Sequence, residues 1–166
     1  MKELQFMQKK RMQLLINMKK TYKSTISEYS LKYTKTDIQK TKITTSENAS
    51  NVIRQFYFDD INIYESFFIL LLNRANNTTG FAKISQGGTA GTFVDIKIIA
   101  KYAVDSLSSA VIICHNHPSG NKQPSDNDLN ITKKIKDALL LLDIKLIDHI
   151  IITENDYYSF ADNGNL

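Results

Sequence analysis

The sequence predicts a mixed α/β fold in which one mixed sheet is covered by helices on its faces. Its length of 166 residues suits one domain with a short appendage. Hydrophobic residues make up 42% and charged residues 23%, the balance of an ordinary globular protein. From residue 46 onward, apolar runs of strand length alternate with amphipathic helical patterns. This alternation is the observation that favours the mixed class.

Residues 1–45 are predicted to form an N-terminal appendage, and residues 46–166 the domain. Residues 1–20 have a helical pattern that predicts an oligomerisation or docking element, or a simple amphipathic cap on the domain. The apolar residues near one face of this helix are Leu4, Met7, Leu14, Leu15 and Met18. Between Thr21 and Thr45, alternation around Ile26 and Tyr29 predicts an extended strand followed by a linker.

The first half of the domain is predicted to contain one helix and two strands. Ser46 is the expected N-cap of the helix. Its apolar positions, which follow at i, i+3, i+4 and i+7, are Ala49, Val52, Ile53 and Phe56. Ser66 to Arg74 is strongly apolar, and Gly80 to Gln86 follows a turn at Asn76–Asn77, so both runs indicate strands.

The second half is predicted to contain two helices between strands. A helical stripe comprises Ile96, Ile99, Ala100, Ala103, Val104 and Leu107. A buried strand, Ala110 to Cys114, leads directly into a polar loop from His115 to Pro124. The next helix is expected to turn inward Leu129, Ile131, Ile135, Ala138, Leu139 and Leu142. Lys145 to Thr153 and Tyr157 to Phe160 supply the last strands.

The distribution of charge and the length of the apolar runs limit the partners and the location that the protein is expected to have. Residues 1–50 carry a net charge of +7 and residues 51–166 a net charge of −3. The basic segment could contact nucleic acid or an acidic partner, or form a solvated basic helix. No apolar run reaches membrane-spanning length and no signal-peptide core follows the N-terminus, so we expect a cytoplasmic protein without a membrane segment.

Several common chemistries are excluded by residue type. The single cysteine, Cys114, rules out an internal disulfide and a four-cysteine zinc site. The glycines at 87, 88 and 91 match neither a Walker nor a Rossmann fingerprint, so they predict a tight turn near the site. His149 follows Asp148 in an alternating strand and is interpreted as a structural residue or a neighbour of a ligand rather than a ligand.

The stretch around His115 and His117 carries the strongest chemical signal. Two histidines at i and i+2 in an extended chain project to the same side, so their imidazoles can converge on one ion. Cys114 and Asn116 then face the other way, which indicates a buried filler role for the thiol. Asp128, in the first turn of the next helix, can return a carboxylate. Two histidines and one carboxylate leave a position for water, as an open catalytic zinc site requires.

These residues also have structural explanations. Ser125 and Asp128 at i and i+3 form the pattern of a helix capping box, and Pro124 before them fits a helix start. A lone His-x-His at a strand end is more often structural than metal-binding. The combination in one polar loop, between an apolar strand and an amphipathic helix, favours a metal site.

The spacing His-x-His, seven residues, Ser, two residues, Asp resembles the JAMM (MPN+) zinc metalloprotease motif. The string HNHPSGNKQPSDND is similar to its RadC branch, a bacterial family traditionally called DNA repair proteins. The resemblance extends through ESFFILLLNRANN, ISQGGTAGTFVDIK and LIDHIIITENDYYSFADNG, and so covers residues 46–164. It implies a JAB/MPN-like, cytidine-deaminase-like arrangement of three layers.

The resemblance also implies a role for each site residue. His115, His117 and Asp128 match the ligands of Zn²⁺. Ser125 matches the serine that stabilises the oxyanion, and Glu65 matches the catalytic acid/base. The implied enzyme is a metallohydrolase that cleaves a peptide or isopeptide bond in an unknown peptide or protein substrate. Without the family, Glu65 would be interpreted as a solvated residue at a strand edge.

The sequence departs from the family in two places. Residues 1–45 lack the glycine-containing helix-hairpin-helix pattern of full-length RadC proteins, which argues against duplex-specific DNA binding. Ile96–Lys97 replaces the usual Pro-Arg, and lysine lacks the planar fork for a bidentate anion contact. The competing hypotheses are a nucleic-acid-binding or processing module and a non-catalytic zinc-binding scaffold. The signatures of HNH nucleases and of zinc nucleobase deaminases are absent.

Overall fold

The computed structural model describes residues 2–18, 32–57, 60–88 and 92–166. The chain divides into two compact units, Met1–Tyr33 and Thr34–Leu166. In the first unit, helix α1 spans Lys2–Met18. Residues 19–31, which include Ile26 and Tyr29 of the predicted strand, lie outside the described residues. Within the described ranges, no helix combines the length and the apolar character needed to cross a membrane.

The second unit contains one five-stranded mixed sheet. Its helices are α2 (Ser46–Arg54), α3 (Ile96–Asp105) and α4 (Asp126–Leu140), and its strands are β1 (Ser66–Leu72), β2 (Thr78–Gln86), β3 (Ala110–Asn116), β4 (Lys145–Ile152) and β5 (Tyr157–Ser159). The strand order is β2-β1-β3-β4-β5. β3 and β4 are parallel and are joined through α4, whereas the other neighbouring pairs are antiparallel.

Helices cover both faces of this sheet, so the predicted three-layer mixed α/β fold is confirmed. On one face α2 packs over a core that contains Val52, Ile53, Phe68, Leu70, Ile112, Cys114 and Ile150. On the other face α3 and α4 cover a core that contains Ile69, Ile99, Ala103, Val111, Ile113, Ile135 and Leu139. Strand residues alternate between the two cores because successive side chains point to opposite faces. The second face is the one that carries the candidate site.

Most element boundaries lie within two or three residues of the prediction. The N-cap of α2 is Thr45 rather than Ser46, since the Thr45 hydroxyl accepts from the Asn48 amide at 3.1 Å. β1 ends at Leu72 rather than Arg74. β3 continues to Asn116, so His115 lies in the strand and the polar loop starts two residues later than expected.

Several residues predicted to face inward are exposed instead. Val104 and Leu107 are 45% and 88% exposed, because α3 ends at Asp105 and Leu107 lies in a turn with φ of +52°. In the next helix, Leu129 is 38% exposed at its first turn and Leu142 is 45% exposed beyond its end. Thr132, a polar residue, occupies the inward face with Ile135.

Candidate metal centre

Strand β3 places two histidines on the face of the sheet that α3 and α4 cover. Its register pairs His115 with Phe67 of β1, and the two rings stack with centroids 5.9 Å apart. Cys114 faces the opposite core, where burial raises the pKa of its thiol to about 12. The thiol is therefore a buried filler, as predicted. Alternation along the strand returns His117 to the side of His115.

Helix α4 supplies the third group through its first turn. The Ser125 hydroxyl accepts from the Asp128 amide at 3.2 Å, and the Ser125 amide donates to the Asp128 carboxylate at 2.8 Å, so the predicted capping box is present. The same box holds the carboxylate of Asp128 beside the histidines. Asp128 Oδ1 lies 3.2 Å from His115 Nε2, and Asp128 Oδ2 lies 3.8 Å from His117 Nε2.

A tight turn fixes the ring of His117. The Gly120 amide donates to the His117 carbonyl at 3.0 Å, and the left-handed φ of +78° at Gly120 suits glycine. The chain then returns so that His117 Nδ1 lies 2.6 Å from the Asn121 carbonyl oxygen. A carbonyl only accepts, so Nδ1 of His117 carries the proton and Nε2 presents a lone pair toward Asp128.

The three groups form a set that could hold a metal ion. Ligand atoms of His115, His117 and Asp128 all lie within 4.8 Å of one another. The side chain of His115 is 2% exposed, whereas those of His117 and Asp128 are 16% and 15% exposed, so one side of the set reaches solvent. Two imidazoles and one carboxylate with an open side have the donor chemistry of a catalytic metal site.

Electrostatics keep the Asp128 carboxyl ionised. Burial acts to raise its pKa, but hydrogen bonding to His115, the charge of His115 and hydrogen bonds from Ser125 outweigh burial and hold the pKa well below its usual range. The Ser125 hydroxyl itself donates to Asp128 Oδ2 at 2.6 Å. A carboxylate rather than a carboxylic acid therefore faces the histidines at neutral pH.

Glu65 precedes β1 at the same end of the sheet. β1 begins at Ser66, and its register pairs the next residue, Phe67, with His115, so Glu65 lies at the end of the sheet where the histidines lie. Its main chain is held by the glycine pair: the Glu65 amide donates to Gly88 at 3.1 Å, and Gly87 donates to Glu65 at 2.9 Å. Glu65 is half-buried and lies outside the ligand group. The catalytic roles assigned to Glu65 and Ser125 stay predictions.

A buried histidine and a threonine extend the site behind His115. His149 Nε2 lies 2.8 Å from His115 Nδ1, which agrees with the interpretation of His149 as the neighbour of a ligand. His149 Nδ1 lies 2.6 Å from Thr132 Oγ1. Burial, and then the neighbouring His115, hold the pKa of His149 well below its ordinary value, so its ring is neutral at pH 7. Sequence analysis missed Thr132, although it lies three residues before Ile135 on the inward stripe.

Comparison with known proteins places this site in a family. A family model described as the RadC-like JAB domain matches residues 43–165, which is most of the chain. The chain belongs to the RadC-like JAB domain family. The match includes every residue of the ligand group and the predicted resemblance is therefore confirmed.

Curated relatives agree with this assignment. The chain is 44% identical over 128 residues to a UPF0758 protein of Flavobacterium johnsoniae, covering 77% of this chain and 56% of the relative. It is 39% identical over 125 residues to a UPF0758 protein of Porphyromonas gingivalis, covering 75% and 54%. A UPF0758 protein of Coprothermobacter proteolyticus is 38% identical over 127 residues, with coverages of 75% and 54%. The chain thus spans about half the length of the curated relatives it matches.

Proposed function

We propose that this RadC-like JAB domain is a zinc-dependent metallohydrolase of the JAMM type that cleaves a peptide or isopeptide bond. The observation that carries the proposal is the convergence of His115, His117 and Asp128, with ligand atoms within 4.8 Å. The tautomer of His117 and the ionised Asp128 match the donor states that a divalent metal requires. Imidazole nitrogen with carboxylate oxygen, in an open set of three, suits Zn²⁺.

The residues around the ligand group would carry the remaining chemistry. Zinc, when bound, supplies Lewis acidity and lowers the pKa of water to about 7. Glu65, which precedes β1 at the same end of the sheet as the histidines, would accept the proton of the attacking water and deliver it to the leaving amine. Ser125 would donate its hydroxyl hydrogen to the oxyanion, after exchanging its present acceptor, Asp128. The solvent-facing side of the ligand group is where a scissile carbonyl would enter.

The substitution Glu65→Gln tests this mechanism. We expect the variant to keep its metal, because Glu65 lies outside the ligand group, but to lose peptide or isopeptide hydrolysis by about 10²-fold or more. Turnover would be measured by mass spectrometry on a library of peptides and isopeptide-linked peptides. Glu47→Gln, at an exposed position in the first turn of α2, is the matched control and should leave turnover unchanged. Full turnover by Glu65→Gln would contradict the assigned role.

A separate observation favours a nucleic-acid partner for the basic N-terminal segment. Residues 1–50 carry a net charge of +7. A contact made by this charge would weaken steeply as salt increases, because counterions are released on binding. We expect DNA affinity to fall on deletion of residues 1–33, which removes the first unit and keeps residues 34–45 of the domain unit, and to depend strongly on salt in the full chain. Unchanged affinity after the deletion would show that this segment is not the electrostatic contact.

A further inference from the structure

We propose that Thr132 and His149 form a hydrogen-bonded relay that fixes the tautomer of the ligand His115 and so prepares the site for its metal. Neither residue belongs to the ligand group. The relay starts at the main chain of Asp128, passes through both side chains and ends at His115 Nδ1. It therefore connects Asp128 and His115 through hydrogen bonds that do not involve the ligand atoms themselves. The inference rests on the proposed metal centre and deepens it.

The direction of every hydrogen bond follows from one acceptor. The Thr132 hydroxyl lies 2.5 Å from the Asp128 carbonyl oxygen, which can only accept, so the hydroxyl hydrogen is committed there. Thr132 Oγ1 must then accept from its second partner, His149 Nδ1, at 2.6 Å. His149 is fully buried and, among the described residues, its ring nitrogens contact only Thr132 and His115, so no carboxylate balances a charge on the ring and its single N–H is placed on Nδ1. Its Nε2 is consequently an acceptor.

The same logic determines the state of His115. Its Nδ1 lies 2.8 Å from His149 Nε2, and because that nitrogen is an acceptor, His115 Nδ1 must donate. His115 Nδ1 thus keeps its proton, and Nε2, which faces Asp128 and His117, is the nitrogen at which a metal would take the place of a proton. The opposite polarity would place the N–H of His115 on Nε2 and block it as a ligand. The relay thus selects the tautomer that can bind a metal.

The arrangement of the two Nε2 atoms supports this assignment. His115 Nε2 and His117 Nε2 lie 2.9 Å apart, a distance at which one proton can lie between them when no metal is bound. Two lone pairs at this distance, with the Asp128 carboxylate beside them, repel unless a positive charge lies between them. A bound cation satisfies all three groups at once. The relay therefore orients His115, and the turn that ends at Asn121 orients His117.

Burial makes the relay a fixed part of the fold. His149 is 0% exposed and Thr132 is 2% exposed, so water does not compete for either contact. The ring of His149 also stacks on Phe160, with centroids 4.4 Å apart. The relay joins β3, β4 and α4, and so holds the first turn of α4 against the sheet. We therefore assign Thr132 and His149 as positioning residues rather than catalytic ones.

The substitution Thr132→Val tests the relay, because it keeps the shape of the side chain and removes the hydroxyl. The zinc dissociation constant of the full chain, measured by competition with a chelator, should rise by about 10-fold to 100-fold. Thr132→Ser restores the hydroxyl and should return the constant to within about 3-fold of the unsubstituted value. Thr78→Val is the matched control. It removes another buried, hydrogen-bonded threonine hydroxyl, at the end of β1–β2 distant from His115, and should leave zinc affinity unchanged.

A second readout needs no metal. Long-range ¹H–¹⁵N correlation spectra of the metal-free full chain report which ring nitrogen carries the proton. We expect His149 to be protonated at Nδ1 and not at Nε2, and this preference to weaken in Thr132→Val. A proton on Nε2 of His149 in the unsubstituted protein would overturn the relay, as would equal zinc affinity for the unsubstituted protein and Thr132→Val. Failure of the unsubstituted protein to bind zinc would instead overturn the metal centre on which the relay rests.

Discussion

Asn116 lies between the two candidate ligands on β3, but its side chain enters the opposite side of the sheet. It is fully buried and makes two hydrogen bonds to the segment that precedes β1 and one to the first residue of β1. Its Nδ2 donates to the carbonyls of Ile61 and Tyr64 at 2.6 and 2.8 Å, and its Oδ1 accepts from the Ser66 amide at 2.8 Å. This single side chain therefore holds the main chain on both sides of Glu65.

Replacing Asn116 should destabilise the domain and displace Glu65. We expect Asn116→Ala to lower the free energy of unfolding by about 2–4 kcal/mol, because it leaves the buried Ser66 amide and two part-buried carbonyls without partners. Urea denaturation measures the change. Asn130→Ala, at an exposed position of α4, should change the free energy by only about 0.5 kcal/mol. Equal effects of the two substitutions would show that Asn116 does not hold this segment.

The alternation of side chains along β3 could be predicted from the sequence, but the hydrogen bonds of Asn116 could not. Strict period-2 alternation places His115 and His117 on one side and Cys114 and Asn116 on the other, as observed. The partners of Asn116 come from a segment about 50 residues earlier in the chain, and only the pairing of β1 with β3 brings them together. No local pattern contains that pairing.

At the level of secondary structure, an irregularity in β4 determines which of its side chains reach the candidate site. The parallel register with β3 shifts between the pairs Val111–Leu146 and Ile112–Asp148. Leu146 belongs to the core under α3 and α4, whereas Ile150 belongs to the core under α2, so regular alternation is broken between them. The shift pairs His149 with Ile113 and allows its ring to reach His115. Because a register shift depends on the neighbouring strand, sequence periodicity could not predict this contact.

The same irregularity buries a carboxyl. Asp148 is 4% exposed and accepts from the Ser159 hydroxyl at 2.6 Å, the Ala161 amide at 3.0 Å and the His149 amide at 2.8 Å. Burial raises the pKa of Asp148 above its ordinary value, against the opposing effect of these hydrogen bonds. The side chain ties β4 to β5 and to the turn that follows it.

This raised pKa predicts a pH-dependent effect of Asp148→Asn. A carboxyl whose pKa is raised by folding stabilises the native state below its unfolded pKa and loses that contribution as pH rises through the folded pKa. From about pH 4 to about pH 7, the free energy of unfolding of Asp148→Asn should therefore increase relative to the unsubstituted protein. Urea denaturation at several pH values measures both proteins.

Asp156 is a control, because its pKa is shifted in the direction opposite to that of Asp148. A hydrogen bond from Lys122, and then one from the Tyr157 amide, lower the pKa of this exposed carboxyl. Its contribution is therefore present above its unfolded pKa and is lost as pH falls. Asp156→Asn should shift in the direction opposite to Asp148→Asn. A difference that does not vary with pH for Asp148→Asn would contradict the burial of an ionisable carboxyl.

At the scale of the whole molecule, residues 34–45 belong with the domain unit. Ile43 is 6% exposed and contributes to the core under α2. Its amide donates to the Asn76 carbonyl at 2.8 Å, and the Thr41 amide donates to the Thr78 hydroxyl at 2.8 Å. The composition of residues 21–45, rich in threonine, serine and lysine, predicts a linker and does not reveal this packing.

Two deletions test the extent of the domain. Removal of residues 1–33 should change the free energy of unfolding by less than about 1 kcal/mol, since the three-layer core lies in the second unit. Removal of residues 1–45 should cost about 3 kcal/mol or more, because it also deletes buried Ile43 and the N-cap Thr45. Thermal and urea denaturation compare the two. Equal stability of both proteins would show that residues 34–45 contribute nothing to the domain.

We propose that β3 and α4 together build a zinc site, and the metal content of the purified protein measures this directly. Inductively coupled plasma mass spectrometry should find about one zinc ion per chain in protein purified without a metal-chelating tag. The double variant His115→Ala/His117→Ala should contain none, since it removes both imidazole ligands and leaves Asp128 alone. Absence of zinc from the unsubstituted protein, even after zinc is added back, would contradict the claim and favour a non-catalytic scaffold.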